Sequence, residues 1–239
     1  MKSLDIKNIA QNYLSDLKDT IDKISLEDIQ KVADVLLEAY KKNNTVFLLG
    51  NGGAASTASH IACDWGKGTL KNVYDLDEKR LRVISLTDNM ASATAFANDL
   101  SFDDMFVQQL QGLIKEEDVV IGISGSGNTP NVVRALIYAK SKGAKTIGFL
   151  GFHGGSAREF VDCEVTIQSS SYGIIEDLHL SINHLLTVCL SYMKEIIDQK
   201  DISGNGIVKG IGNSKLKRIN KTKNTRKVAS EWTERSARR

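Results

Sequence analysis

A single proline in 239 residues excludes proline-rich linkers and collagen-like repeats, both of which need that residue in quantity. Cysteine is scarce as well: Cys63, Cys163 and Cys189 are odd in number and lack CxxC spacing, so neither a disulfide framework nor a cysteine zinc site is indicated. They read as reduced, structural thiols. Every apolar run is soon broken by a charge or a glycine, so none approaches the roughly 20 residues of a membrane helix. The start of the chain, MKSLDIKNIAQNYL, has no signal-peptide core, which makes the cytoplasm the expected location. With only 6% aromatic, 41% hydrophobic and 25% charged residues, what remains is the composition of an ordinary globular protein with one substantial core.

The net charge of +2 conceals an asymmetry. Residues 201–239 carry eleven Lys and Arg against three acids, a balance of +8, whereas residues 1–200 carry 20 basic and 26 acidic residues, a balance of −6. The expected organisation is therefore a folded domain over 1–200 followed by a basic tail over 201–239 that has too few large apolar residues to offset its ordering entropy. Such a tail can attract nucleic acid or another acidic surface electrostatically, and nucleic acid enters the reading only through it.

Within the body, Ile6, Ile9, Tyr13, Leu17 and Ile21 recur at helical spacing, and Ile29, Val32, Val35, Leu36 and Leu37 do so again after the capping signal Ser25. From Thr45 onward the pattern changes to short apolar runs, at 46–50, 82–86, 119–123, 146–150 and 164–168, each leading through a turn into a helical stretch. Runs apolar on both faces that alternate with helices predict an α/β, doubly wound, five-stranded parallel sheet. A last periodic segment, Tyr172 to Ile197, predicts one long closing helix. These flanking helices offer more apolar face than one such sheet covers, which predicts a homo-oligomer.

In an open parallel sheet, ligands bind beyond the carboxyl ends of the strands, where loops lead into helix N-termini. Two loops stand at such places. Gly50 to His60 (GNGGAASTASH) follows the first run, and Ile123 to Thr129 (ISGSGNT) follows the third, with Pro130 suited to a first helical turn. Neither is a GxGxxG fingerprint nor a Walker A lysine loop. Ser124, Ser126 and Thr129 present hydroxyls among backbone amides, an arrangement that suits a phosphate without a lysine. A small phosphorylated ligand fits better than a dinucleotide. His60 and Asp64 lie four residues apart on the helix after the first loop, so they share a face and could chelate a metal. On the closing helix Glu176 and His179 are the tidier neighbours, while His184 stands eight residues beyond Glu176; spacing does not choose between the two histidines.

Five ordered blocks, LLGNGGAASTASHIACD, VISLTDN, FANDLSFDDMF, DVVIGISGSGNTPNVVRAL and YGIIEDLHLSINHLL, resemble the SIS (sugar isomerase) domain, and in detail the phosphoheptose isomerases. The resemblance runs to about Met193 and implies a flavodoxin-like sheet, a homotetramer and a site near a subunit interface. By position it makes Asn51, Gly52, Gly53, Asn98 and Asp99 substrate-binding residues and Ser124, Gly125, Ser126 and Thr129 a phosphate loop. It selects His60, Asp64, Glu176 and His184 as the metal and catalytic positions, with Asp64 and Glu176 also touching substrate, one Zn2+ per subunit as the implied cofactor, and His179 left at an interface or behind the ligands. Four positions depart from the pattern: 64 is Asp for Glu, 176 is Glu for Gln, 54 is Ala for Ser and 125 is Gly for Thr.

A phosphate site combined with a carboxylate and a histidine points to aldose–ketose isomerisation, with Asp64 as the base that removes the proton next to the carbonyl and His184 relaying a proton at the neighbouring oxygen. The implied substrate pair is sedoheptulose 7-phosphate and D-glycero-D-manno-heptose 7-phosphate. The alternative is a non-catalytic SIS protein that keeps the phosphosugar pocket as a regulatory or partner-binding module.

Overall fold

The computed structural model describes residues 5–203, with side chains to Ile197. The basic tail expected over 201–239 lies outside the described residues except for the last helical positions to Ser203. The chain divides into a unit over Met1–Ile196 and a second over Ile197–Arg239, of which only the final turns of the closing helix are described.

Two helices come first, α1 (Ile6–Ile21) and α2 (Leu26–Lys42). The expected cap of α2 is in place: Ser25 Oγ accepts the Asp28 N–H at 3.2 Å. At its other end Asn43 adopts the left-handed conformation (φ 60°) and closes the last turn onto the carbonyls of Ala39 and Tyr40. The strands follow as β1 (Thr45–Leu49), β2 (Arg82–Ser85), β3 (Val119–Ser124), β4 (Lys145–Gly151) and β5 (Cys163–Ile167). Between them lie α3 (Gly53–Cys63), α4 (Met90–Asp99), α5 (Met105–Gln111) and α6 (Pro130–Ser141), and α7 (Tyr172–Ser203) closes the order.

All strand pairs are parallel, in the order β2-β1-β3-β4-β5. This is the flavodoxin-like arrangement, whose direction of winding reverses between β1 and β3. Alternation along each strand divides the core. Val46 and Leu48 of β1 point with Ile121, Ile147 and Phe149 towards α2, α3 and α7, while Phe47 and Leu49 point with Val120 towards α5 and α6. One expectation needs correction. The run at 82–86 is not covered on both faces, because β2 is an edge strand whose Ile84 is 40% exposed; β5, at the other edge, is also only partly covered. Helix α1 is held loosely, with Thr20 as its one buried residue and Ile6, Ile9 and Leu14 about three-fifths exposed.

Candidate functional site

The reversal between β1 and β3 sets the two glycine-rich loops side by side at the carboxyl end of the sheet. Gly52, with φ at +56°, turns the chain out of β1 into α3, a conformation open to glycine at no steric penalty. Neither α3 nor α6 has an acid in its first turn, so two positive helix ends are left uncompensated by their own side chains. Asn51 is fixed by a reciprocal amide pair with Asn131, Nδ2 to Oδ1 at 2.8 and 3.2 Å, and Asn131 also donates to the Phe102 carbonyl. Asn131 is fully buried and welds the first loop to the start of α6. Sequence reasoning missed it, since its partner lies 80 residues away.

In the second loop Ser124 Oγ accepts the Gly127 N–H at 3.0 Å and lies 2.9 Å from Thr129 Oγ1, and Ser126 Oγ accepts the Asn128 N–H at 3.2 Å. The hydroxyls are thus held in a preformed loop. Gly127 (φ +65°) passes so close to the Gly154 carbonyl that no side chain fits there, and Asn128 in turn receives the Ser156 N–H at 2.8 Å. Gly125 lies under the ring of Tyr172: a Cβ at 125 would come within 2.9 Å of two ring carbons. That ring is itself stacked edge-on against Phe152, 5.2 Å between centroids.

His60 on α3, Asp64 just beyond its end and His184 on α7 come together. Asp64 Oδ2 is 3.2 Å from His60 Nε2 and 3.5 Å from His184 Nε2, and the two imidazole nitrogens are 3.4 Å apart. Three donors at the corners of a nearly equilateral triangle form one face of a tetrahedron. Bonds of about 2.0–2.1 Å to a zinc ion place ligand atoms about 3.3–3.4 Å apart along each edge, so the donor set and spacing fit that ion. Asp64 marks a change in the helix as well, since residues Asp64–Gly68 continue α3 as a π-turn that buries Trp65 completely. Behind the carboxylate, Asn183 Nδ2 donates to Asp64 Oδ2 at 2.8 Å.

Glu176 is not in this triangle. Its carboxylate lies against Gly53 at the N-terminus of α3, where a Cβ on residue 53 would overlap it. Asn98 and Asp99, exposed at the end of α4, bond to each other at 2.9 Å rather than to a residue of either loop. His179 sits deep in the core, 1% exposed, with Nε2–H donating to the Leu150 carbonyl at 3.0 Å. Burial pushes its pKa down to about 4, so it is a neutral packing residue of α7. Among the described residues no helix is long and apolar enough to cross a membrane.

Comparison with known proteins gives a consistent result. Residues 11–151 match the model of the SIS domain family. A phosphoheptose isomerase from Clostridium acetobutylicum is 37% identical over 175 residues, which is 73% of this chain and 86% of that one. Among solved structures, a phosphoheptose isomerase from Neisseria gonorrhoeae superposes with a TM-score of 0.70 at 26% identity, covering 78% of this chain and 98% of the other. One from Francisella tularensis gives 0.72 at 25% identity, covering 80% and 100%.

Proposed function

The chain belongs to the SIS domain family, in its phosphoheptose isomerase branch, and on that premise we propose that it interconverts sedoheptulose 7-phosphate and D-glycero-D-manno-heptose 7-phosphate through an enediol. The observation that carries the reading is the convergence of Asp64 and His184, 3.5 Å apart, beside two glycine-rich loops at helix N-termini. The backbone amides and hydroxyls of Ser124, Ser126 and Thr129 take the phosphate, assisted by the positive end of α6. Phosphate binding remote from the reacting carbons holds the open-chain sugar in register, so that its binding energy serves orientation at C1 and C2. Asn51, locked by Asn131, and the amides at Gly52 and Gly53 orient the sugar hydroxyls. Asp64 removes the proton from the carbon next to the carbonyl, and His184 carries a proton to and from the adjacent oxygen. The proton returns to the neighbouring carbon, which completes the exchange of aldose and ketose.

His60, His184 and Asp64 would hold a zinc ion, with Glu176 as the remaining candidate donor. When bound, such an ion supplies polarisation of the carbonyl and stabilises negative charge on the enediolate oxygens. The enzyme acts as a cytoplasmic homotetramer in this reading. Supporting that assembly are the apolar residues left open on α1 (Ile6, Ile9, Leu14) and on α7 (Val188, Tyr192), a surface that a second copy would cover. An NMR assay over a panel of ketose phosphates tests the reading: turnover of sedoheptulose 7-phosphate is expected, and its absence with turnover of a shorter ketose phosphate would reassign the substrate.

A further inference from the structure

Asn183 is completely buried, yet of its two side-chain polar atoms only one is hydrogen-bonded among the described residues. Its Nδ2 donates to Asp64 Oδ2 at 2.8 Å, while its buried Oδ1 has no partner among the described residues. The opposite orientation of the amide would set its oxygen against a carboxylate oxygen, so the chemistry of Asp64 fixes which end faces it. A leucine of nearly the same shape would fill this position without leaving an acceptor stranded, which is the usual solution inside a core. Packing therefore does not account for an asparagine here, whereas contact with Asp64 does.

The oxygen that Asn183 holds is the one that faces both imidazoles, at 3.2 and 3.5 Å. The aspartate side chain is short, and it leaves a helix at the point where the turn widens into a π-turn. The backbone alone does not determine where its carboxylate comes to rest. We propose that Asn183 is a positioning residue that fixes the Asp64 carboxylate against His60 and His184, so that the short acid reaches the reacting carbon and the metal-binding face of the triangle keeps its shape. Hydrogen-bonded partners behind liganding carboxylates do this elsewhere. The inference rests on the role given to Asp64 above and names the residue on which that role depends.

The test is Asn183→Leu in the full chain, alone and combined with Asp64→Glu, read by Co2+ titration of the metal-free protein, by kcat and KM on sedoheptulose 7-phosphate, and by thermal unfolding. Asn183→Leu is expected to weaken Co2+ binding by about 10- to 100-fold and to lower kcat by about the same factor. KM should change by less than about threefold, the mark of an interaction realised after the substrate is bound. Because the stranded oxygen is removed, the midpoint of unfolding should hold or rise. In the Asp64→Glu background the carboxylate is carried about one methylene further and no longer meets Asn183 where it does now, so the additional effect of Asn183→Leu should shrink to less than about threefold. Equal effects in both backgrounds, a fall in unfolding midpoint matching the loss of activity, or unchanged Co2+ affinity and kcat would each overturn the proposal. A wild type that binds Co2+ but turns over no ketose phosphate would remove the functional reading alone, and the titration would still decide the role of Asn183. A wild type that does neither removes both.

Discussion

Acidification should weaken the fold through His179, by an amount the structure allows one to work out. The imidazole is 1% exposed, lies 6.1 Å from the Phe149 ring and donates its one proton to the Leu150 carbonyl. Its pKa falls from an ordinary 6.5 to about 4 because burial disfavours the charged form, only partly opposed by the hydrogen bond to Leu150. Above pH 6.5 the ring is neutral in the folded and the unfolded chain alike, and its titration leaves stability unaffected. As the pH falls below 6.5 the unfolded chain takes up a proton that the folded chain refuses until about pH 4, so the folded state loses about 1.4 kcal/mol per pH unit across that window. Between pH 7.5 and pH 5 the loss amounts to about 2 kcal/mol, a considerable part of the roughly 5–15 kcal/mol that a domain commonly has. Urea unfolding of the wild type and of His179→Gln at pH 7.5, 6.5 and 5 isolates the contribution, because the other histidines and the carboxylates titrate in both proteins and cancel in the difference. The variant, which keeps a donor for Leu150, should start less stable at pH 7.5 and show a pH dependence flatter by about 2 kcal/mol over the interval. Slopes that agree within about 0.5 kcal/mol would refute a neutral, buried His179.

Four other outcomes are expected. Ser124→Ala with Ser126→Ala should weaken phosphosugar binding by about 1.5–3 kcal/mol for each hydrogen bond lost to a charged phosphate; calorimetry with inorganic phosphate and substrate checks this, and unchanged affinity would put the phosphate elsewhere. Asp64→Asn should lower kcat by about a hundredfold to ten-thousandfold while substrate still binds, with wild-type turnover refuting the base assignment. Gly125→Thr should destabilise or inactivate the protein because the new Cβ meets the Tyr172 ring at 2.9 Å, and Gly125→Thr with Tyr172→Ala should recover most of the loss in a turnover and melting assay. Light scattering at about micromolar concentration should give the mass of four chains, and Ile9→Asp with Leu14→Asp on α1 should lower it; a monomeric wild type would contradict the assembly.

The layered fold was legible because buried parallel strands write themselves as short apolar runs, and β1, β3 and β4 follow their runs to within a residue or two. The edges were less legible. Ile84 belongs to a run that reads as a strand like the others, but edge position, which a run does not encode, leaves it open. Local spacing placed His60 and Asp64 on one face, and the structure brings their donor atoms to 3.2 Å. It could not choose between His179 and His184. That choice depends on which side of α7 meets the sheet: His179 turns in towards Leu150 and His184 out towards His60. Asn131 and Asn183 carried no signal at all. Each works through a partner far away in the chain, and an asparagine beside helical apolar residues has no local mark that separates a buried support from a solvated surface group.

Helix α7 is tied to the early part of the chain at successive turns, through Asn183 to Asp64, His184 to His60, Ser191 to the Gly68 carbonyl and Lys194 to the Thr69 carbonyl. These partners are between 119 and 125 residues apart in sequence. Contacts of such separation form only after a long loop has been closed, which makes them slow relative to local helix formation. During synthesis the strands and both glycine-rich loops leave the ribosome before α7 does, so His184 and the Tyr172 ring over Gly125 reach them last. Under the roles proposed for them, Asp64 and His184 meet only when α7 docks, and in refolding experiments the recovery of turnover should therefore follow the docking of α7 and not the earlier formation of the local helices.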